Sequence, residues 1–211
     1  MKITAAIFDA FGTTVHITRP RHPYLQLLRE GRSQGRTLKG DDLRTLMINE
    51  LSLDEAACVF GIKLTPARLH LLEQALEEEV ASIRPYPDAR EAIAILQEAG
   101  VSVAICSNLA MPYGLAVKQI LPDLDGYVFS YQLGVTKPDP IIYRETCRLL
   151  SVQPGNEFSG QGRVVMIGDS PRCDRDGPRR VGISGFLLRR EQPDGFSSLI
   201  GFARAVMGCE Q

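Results

Sequence analysis

Four short polar stretches interrupt the apolar runs of this chain and hold residues able to do chemistry. They are Asp9-Ala10-Phe11-Gly12-Thr13, Ser107-Asn108, Lys137-Pro138-Asp139-Pro140 and Gly168-Asp169-Ser170. The first, second and fourth follow directly on apolar runs at residues 3–8, 101–106 and 163–167. Runs of this length and character read as strands buried on both faces. A carboxylate that ends a buried strand and precedes a glycine-containing turn stands at the mouth of a sheet, where open α/β sheets place ligands. If the strands are parallel, all four stretches converge on one edge. Asp9 and Asp169 then suit a hard divalent ion such as Mg²⁺. Lys137, the ion and the Ser107 hydroxyl would neutralise and bind a substrate's negative oxygens. The chemistry of such a set is transfer of a phosphoryl-like group to the Asp9 carboxylate, followed by hydrolysis of the covalent intermediate.

The elements that must position these groups can be read along the chain. Helical patterns fill the region after the first strand. One covers about 21–32; a second opens at Asp41-Asp42; a third begins with the capping-box pattern Ser52-Leu53-Asp54-Glu55 and stops at Gly61. Thr65-Pro66 starts a fourth, whose apolar stripe is Leu69, Leu72, Leu76, Val80 and Ile83. No strand signal interrupts residues 17–84. From Pro85 strands and helices alternate. Helices are expected from Pro87-Asp88 to Gly100, over 112–120, from Asp139-Pro140 to about Leu150, and from Asp169 to about Val181. Strands are expected over 127–130 and 184–188. This alternation predicts an α/β fold, a Rossmann-like parallel sheet flanked by helices. Residues 17–84 form a small helical cap domain inserted after the first strand, and residues 1–16 with 85–211 form the core.

Composition bounds the function. With 24 basic and 25 acidic side chains the 211-residue chain carries a net charge of -1, which gives no argument for nucleic acid or an anionic membrane as partner. No stretch approaches the roughly 20 apolar residues of a membrane span. The six residues between Lys2 and Asp9 are too few for a signal-peptide core. Five scattered cysteines (58, 106, 147, 173 and 209) suggest neither a disulfide framework nor a zinc site, and fit a reducing cytoplasm. Cys106 reads as inert core. The basic residues from Arg19 to Lys39 read as a solvated helix face, the alternative being a surface that steers a small anionic substrate. Tyr86, Tyr113 and Tyr131 are candidates for pocket lining or for packing.

In order and spacing the four motifs resemble those of the haloacid dehalogenase-like (HAD) hydrolase superfamily, in the subclass with a helical cap after the first motif. The fourth motif continues through Asp174 and Gly177 to Gly182. The resemblance implies a hydrolase with an Asp9 nucleophile. It implies Mg²⁺ bound by Asp9, the carbonyl of Phe11 and Asp169, with Asp174 assisting the metal site or orienting Lys137. Ser107, Asn108 and Lys137 are then the substrate phosphate contacts. One position departs from the pattern. Family phosphatases carry a second Asp, an acid–base, where this chain has Phe11. The dehalogenase branch also has an aromatic residue there, but it uses no metal and has Ser where this chain has Asp169. The phosphonatase branch needs a Schiff-base lysine, for which Lys39 and Lys63 are the candidates. His16 is a candidate for the missing proton. The expectation is a Mg²⁺-dependent phosphatase of small metabolites, the alternatives being a metal-free 2-haloacid dehalogenase and a non-catalytic binding relative.

Overall fold

We describe the fold from a computed structural model covering residues 2–154, 163–191 and 194–208. Cys209 lies outside the described residues. In chain order the elements begin with β1 (Ile3–Phe8), β2 (Val15–Ile17), α1 (Pro23–Ser33), α2 (Asp42–Met47), α3 (Leu53–Val59) and α4 (Pro66–Val80). There follow β3 (Ile83–Pro85), α5 (Ala89–Glu98), β4 (Ser102–Ser107), α6 (Met111–Ile120), β5 (Gly126–Phe129), α7 (Ser130–Leu133) and α8 (Pro140–Leu149). The chain closes with β6 (Arg163–Gly168), a π-helical turn Pro171–Asp176, α9 (Gly177–Arg179), β7 (Ser184–Leu187) and α10 (Leu199–Val206).

Five strands form a parallel sheet in the order β5-β4-β1-β6-β7. β1 lies at its centre, with Phe8 in register with Ile105 of β4 and Ile167 of β6. The ends of these three strands therefore lie side by side. Alternate residues of a strand face opposite ways. Ala6 and Phe8 pack with Val103, Ile105, Val165 and Ile167 against α5 and α10, while Ala5 and Ile7 pack with Ala104, Cys106, Val164 and Met166 against α8. Both faces are covered, which is why these strands read as unbroken apolar runs.

Helices α1 to α4 have a hydrophobic cluster of their own, centred on Tyr24, Leu27, Leu46, Leu53, Ala56 and Leu72. Their starts are chemically marked. Thr65 Oγ1 accepts from Arg68 N–H at 3.2 Å with Pro66 at the first helical position, and Ser52 and Glu55 form the capping box. The structure corrects one expectation at the edges of this region. Val15–Ile17 and Ile83–Pro85 pair as an antiparallel ribbon, Ile17 opposite Ile83, so the chain leaves for the helices and returns at one place. Ile83 belongs to this ribbon and not to the α4 stripe. Three-residue strands ending in Pro85 are too short to show a period, and the ribbon is closed by Thr18 Oγ1 donating to the Ser82 carbonyl at 2.8 Å.

The helix expected after Asp169 is a π-turn followed by the short α9. Beyond the last expected strand the structure adds α10. It places Phe202 edge-on to Phe8 at 5.7 Å and to Phe196 at 5.3 Å, directly beneath the strand that ends in Asp9. Phe202→Ala should cost about 3 to 5 kcal/mol of stability through the cavity it leaves. A denaturant midpoint shift with unchanged slope checks this; an unchanged midpoint would contradict the packing described.

Candidate active site

The backbone of the first motif is built before its side chain matters. Asp9 N–H donates to Ile167 O at 3.0 Å, extending the sheet by one residue past β1. The chain then turns sharply, with Thr14 and Val15 N–H both donating to Ala10 O, and the buried Thr14 hydroxyl donating to Asp9 O at 3.0 Å. Gly12 sits at φ +79, and a Cβ there would collide with the Asp169 carboxylate. The glycine is thus required both by the turn and by the approach of the second carboxylate. Gly168 plays the same part for Asp174, whose carboxylate occupies the place its Cβ would need.

Four sequence-predicted groups meet on Asp9, which is only 7% exposed. Ser107 Oγ donates to Asp9 Oδ1 at 2.9 Å, and Lys137 Nζ donates to the same oxygen at 2.7 Å. Lys137 Nζ also donates to Asp174 Oδ1 at 2.7 Å, so the lysine bridges two buried carboxylates. Asp174 Oδ2 accepts from Ser170 N–H at 2.9 Å. Asp169 is exposed as a residue but turns its carboxylate to the cluster: oxygens of Asp9, Asp169 and Asp174 lie within 4.8 Å of one another. Asn108 does not reach this group. Its amide brackets the Lys137 backbone, donating to Lys137 O at 3.0 Å and accepting from Lys137 N–H at 2.7 Å, and so holds the lysine loop against β4.

Charge dominates the site. Burial alone would lower the Lys137 pKa, but the Asp9 and Asp174 carboxylates outweigh it and hold the lysine well above its ordinary value. Burial pushes Asp174 up to about 6 against the pull of Lys137, with Asp9 adding to the rise. Asp169 is raised for the same two reasons, desolvation first and Asp9 second. Desolvation is the first cause of both raised carboxyls, and the neighbouring Asp9 carboxylate adds to it. Three carboxylates face one ammonium, and three hard oxygen donors within a few ångströms of one another fit a divalent cation such as Mg²⁺.

Other candidates fall elsewhere. The Phe11 ring packs edge-on to Tyr113 at 5.9 Å. His16 stacks on Tyr86 at 4.5 Å, its Nδ1 buried without a partner among the described residues. Tyr131 is buried in the core against Phe129. Lys39 and Lys63 are exposed. In the basic segment Arg36 is paired with Asp42, whose carboxyl its guanidinium pulls down to about 2, and Arg21 with Glu78. Cys106 is buried, and burial pushes its thiol up to about 11.

The sequence reading missed the groups that brace the first motif from behind. Arg190 donates to the Thr13 carbonyl at 3.1 Å, forms a two-pronged pair with Asp88 at 2.9 Å, and lies over the Tyr86 ring. Asp88 also accepts from Leu199 N–H at 2.8 Å, and Arg189 donates to the Asp169 carbonyl at 2.6 Å. The adjacent arginines directly after β7 were the available signal. A cavity of about 270 Å³ is lined by Phe11 and Leu109, which follow the first and second motifs, and by residues of α1, α2, α4 and α6.

This geometry agrees with the comparisons to known proteins. A haloacid dehalogenase-like hydrolase family model matches residues 3–182. The chain belongs to this family and is a hydrolase. It is 32% identical over 124 residues to a glyceraldehyde 3-phosphate phosphatase of Methanopyrus kandleri, a match covering 54% of this chain but only 47% of that enzyme. It is 27% identical over 212 residues to (S)-2-haloacid dehalogenase 4A of Burkholderia cepacia, covering 90% of this chain and 84% of that one. Among solved structures, a HAD family enzyme of Bacteroides thetaiotaomicron in complex with magnesium and inorganic phosphate superposes with a TM-score of 0.60. That match is at 14% identity, over 90% of this chain and 96% of that one. Among the described residues no helix is long and apolar enough to cross a membrane.

Lys137→Met would leave two buried carboxylates without their counter-charge, at a cost of about 3 to 5 kcal/mol. Because Lys137 holds its proton more tightly folded than unfolded, its contribution is complete at neutral pH and is lost only in strong alkali. Chemical denaturation at neutral pH without divalent ions should show the loss; an unchanged midpoint would contradict the bridging role.

Proposed function

We propose that the chain is a Mg²⁺-dependent phosphatase of a small phosphorylated molecule, acting through a covalent intermediate on Asp9. The observation that carries this reading is the carboxylate cluster: Lys137 pairs with Asp9 and Asp174, an Asp169 carboxylate oxygen lies within 4.8 Å of theirs, and a divalent ion would balance the charge that remains. The glyceraldehyde 3-phosphate phosphatase and the magnesium- and phosphate-bound relative support it. Asp9, Asp169 and the Phe11 carbonyl would hold the ion, with Asp174 fixing Lys137 beside it. When bound, Mg²⁺ supplies positive charge against the phosphoryl oxygens.

The chain's own groups do the rest. Ser107 and Lys137 hold Asp9 Oδ1 from one side and so aim the carboxylate, and the same donors face the incoming phosphoryl oxygens. An Asp9 oxygen attacks phosphorus while the bond to the leaving oxygen breaks and that oxygen departs with the electron pair. Water then attacks the aspartyl phosphate and releases inorganic phosphate. Phe11 provides no side-chain acid for the leaving oxygen, a contribution of roughly 10²- to 10⁴-fold where it is present. Esters and acyl phosphates whose leaving group departs without a proton are therefore the best substrates. Residues 17–84 act as a cap over the core formed by 1–16 and 85–211, closing the site from water.

A second reading, metal-free dehalogenation of a 2-haloacid, is favoured by Phe11 and by the Burkholderia relative. The two separate cleanly. Phosphate release from acetyl phosphate and p-nitrophenyl phosphate should require Mg²⁺, stop with EDTA, and fall at least about 10²-fold in Asp9→Asn and in Asp169→Asn. Halide release from 2-chloropropionate that survives EDTA would contradict the phosphatase reading.

A further inference from the structure

The cavity lined by Phe11 and Leu109 has a chemical character that the carboxylate cluster does not share. Its volume of about 270 Å³ exceeds the roughly 150 Å³ that suffices for a benzene ring. Phe11, two residues past Asp9, and Leu109, two residues past Ser107, belong to its lining. Tyr24, Leu46, Met47 and Tyr113 line it as well. Among the described residues Glu79 is the single charged side chain in the lining, and no cation lines it.

The polar atoms of this lining are already engaged. Glu79 is 3% exposed, and its Oε2 accepts from the backbone N–H groups of Arg21 and His22, the latter at 2.6 Å. Its Oε1 accepts from the Tyr113 hydroxyl at 2.6 Å. Burial first, and Glu79 second, hold the Tyr113 phenol protonated far beyond its usual range, so it remains the donor of that bond. The Tyr24 hydroxyl donates to Leu51 O. What the cavity presents to a ligand is ring faces and aliphatic side chains, with a buried negative charge behind them and no side-chain donor free to meet an anion. A carboxylate or second phosphate placed here would be desolvated without a partner and repelled by Glu79.

Resting on the phosphatase reading of Asp9, we propose that this cavity receives the leaving portion of the substrate, that this portion is apolar and uncharged, aryl or branched alkyl, and that substrates carrying a second anionic group are rejected. Tyr24, Leu46, Met47 and Tyr113 are then the residues that set specificity. The selection is consistent with the chemistry next door, since an aryl oxygen departs without the acid that Phe11 lacks.

The test compares phenyl phosphate with 4-carboxyphenyl phosphate, both with Mg²⁺, and in parallel measures by calorimetry the binding of phenylphosphonate and 4-phosphonobenzoate, which cannot be hydrolysed. The uncharged member should be favoured by at least about tenfold in kcat/KM and in Kd. Leu43→Lys, at a half-exposed position on the cavity rim (49% exposed) where a new side chain is tolerated, should cut that preference several-fold by bringing a cation to the anion. Phosphate release from both esters with no preference, or with the carboxylated one favoured, would overturn the cavity proposal and leave the phosphatase reading intact. Preferential binding of phenylphosphonate with no phosphate released from either ester would overturn the phosphatase reading and sustain the selectivity of the cavity.

Discussion

The buried ammonium of Lys137 is the constraint on which the rest of the site depends. A lysine 4% exposed is stable only if charge of the opposite sign meets it, and here two carboxylates from different parts of the chain do so. Asp9 arrives from the central strand, Asp174 from the π-turn after β6, and Lys137 from the loop before α8. That loop is pinned to β4 by both ends of the Asn108 amide. The two glycines are the geometric condition for the meeting, because side chains at 12 or 168 would occupy the space the carboxylates need. The parallel order β4-β1-β6 then reads as the minimum sheet that brings these donors to one edge.

A polar site and an apolar cavity meet at residue 11. It stands two residues past Asp9, and its ring lies among the aromatic and aliphatic groups of the cavity. This division matches the mixed likeness of the chain, to a phosphatase along part of its length and to a haloacid dehalogenase along most of it. Asp169 and Asp174 are the reason a cation is proposed; Phe11 carries no acid side chain, and the hydrogen bonds of the turn run through the Ala10, Thr14 and Val15 backbone. The chemistry proposed satisfies both halves, with charge handled at the strand ends and leaving-group choice handled by the cavity.

How much of this was legible in the residues alone follows from the range of each interaction. β1, β4 and β6 are long apolar runs buried on both faces, and each ends where its pattern breaks, at Asp9, Ser107 and Asp169. The capped starts of α3, α4 and α8 are local signals within four residues and were read correctly. Asp9, Ser107, Lys137, Asp169 and Asp174 were identified by type and order, and they come together. What escaped were features without local signature. The β2–β3 ribbon is three residues on each side. α10 carries no signal beyond its apolar stripe. Arg190 with Asp88, and Glu79 with Tyr113, are partners 102 and 34 residues apart in sequence, so nothing near either one announces the other. Asn108 shows a further relation that no local signal announces, its amide bonding both polar groups of the Lys137 backbone 29 residues away.

The central claim is that the cluster holds more negative charge than Lys137 neutralises and takes a divalent cation to balance it. The most direct measurement is the melting temperature of the substrate-free protein as Mg²⁺ is added. An ion that binds only the folded state raises stability as RT ln(1 + [L]/Kd). The account predicts a rise that saturates with Mg²⁺ in the wild-type chain and disappears in Asp169→Asn. A melting temperature indifferent to Mg²⁺, or an equal rise in Asp169→Asn, would contradict it.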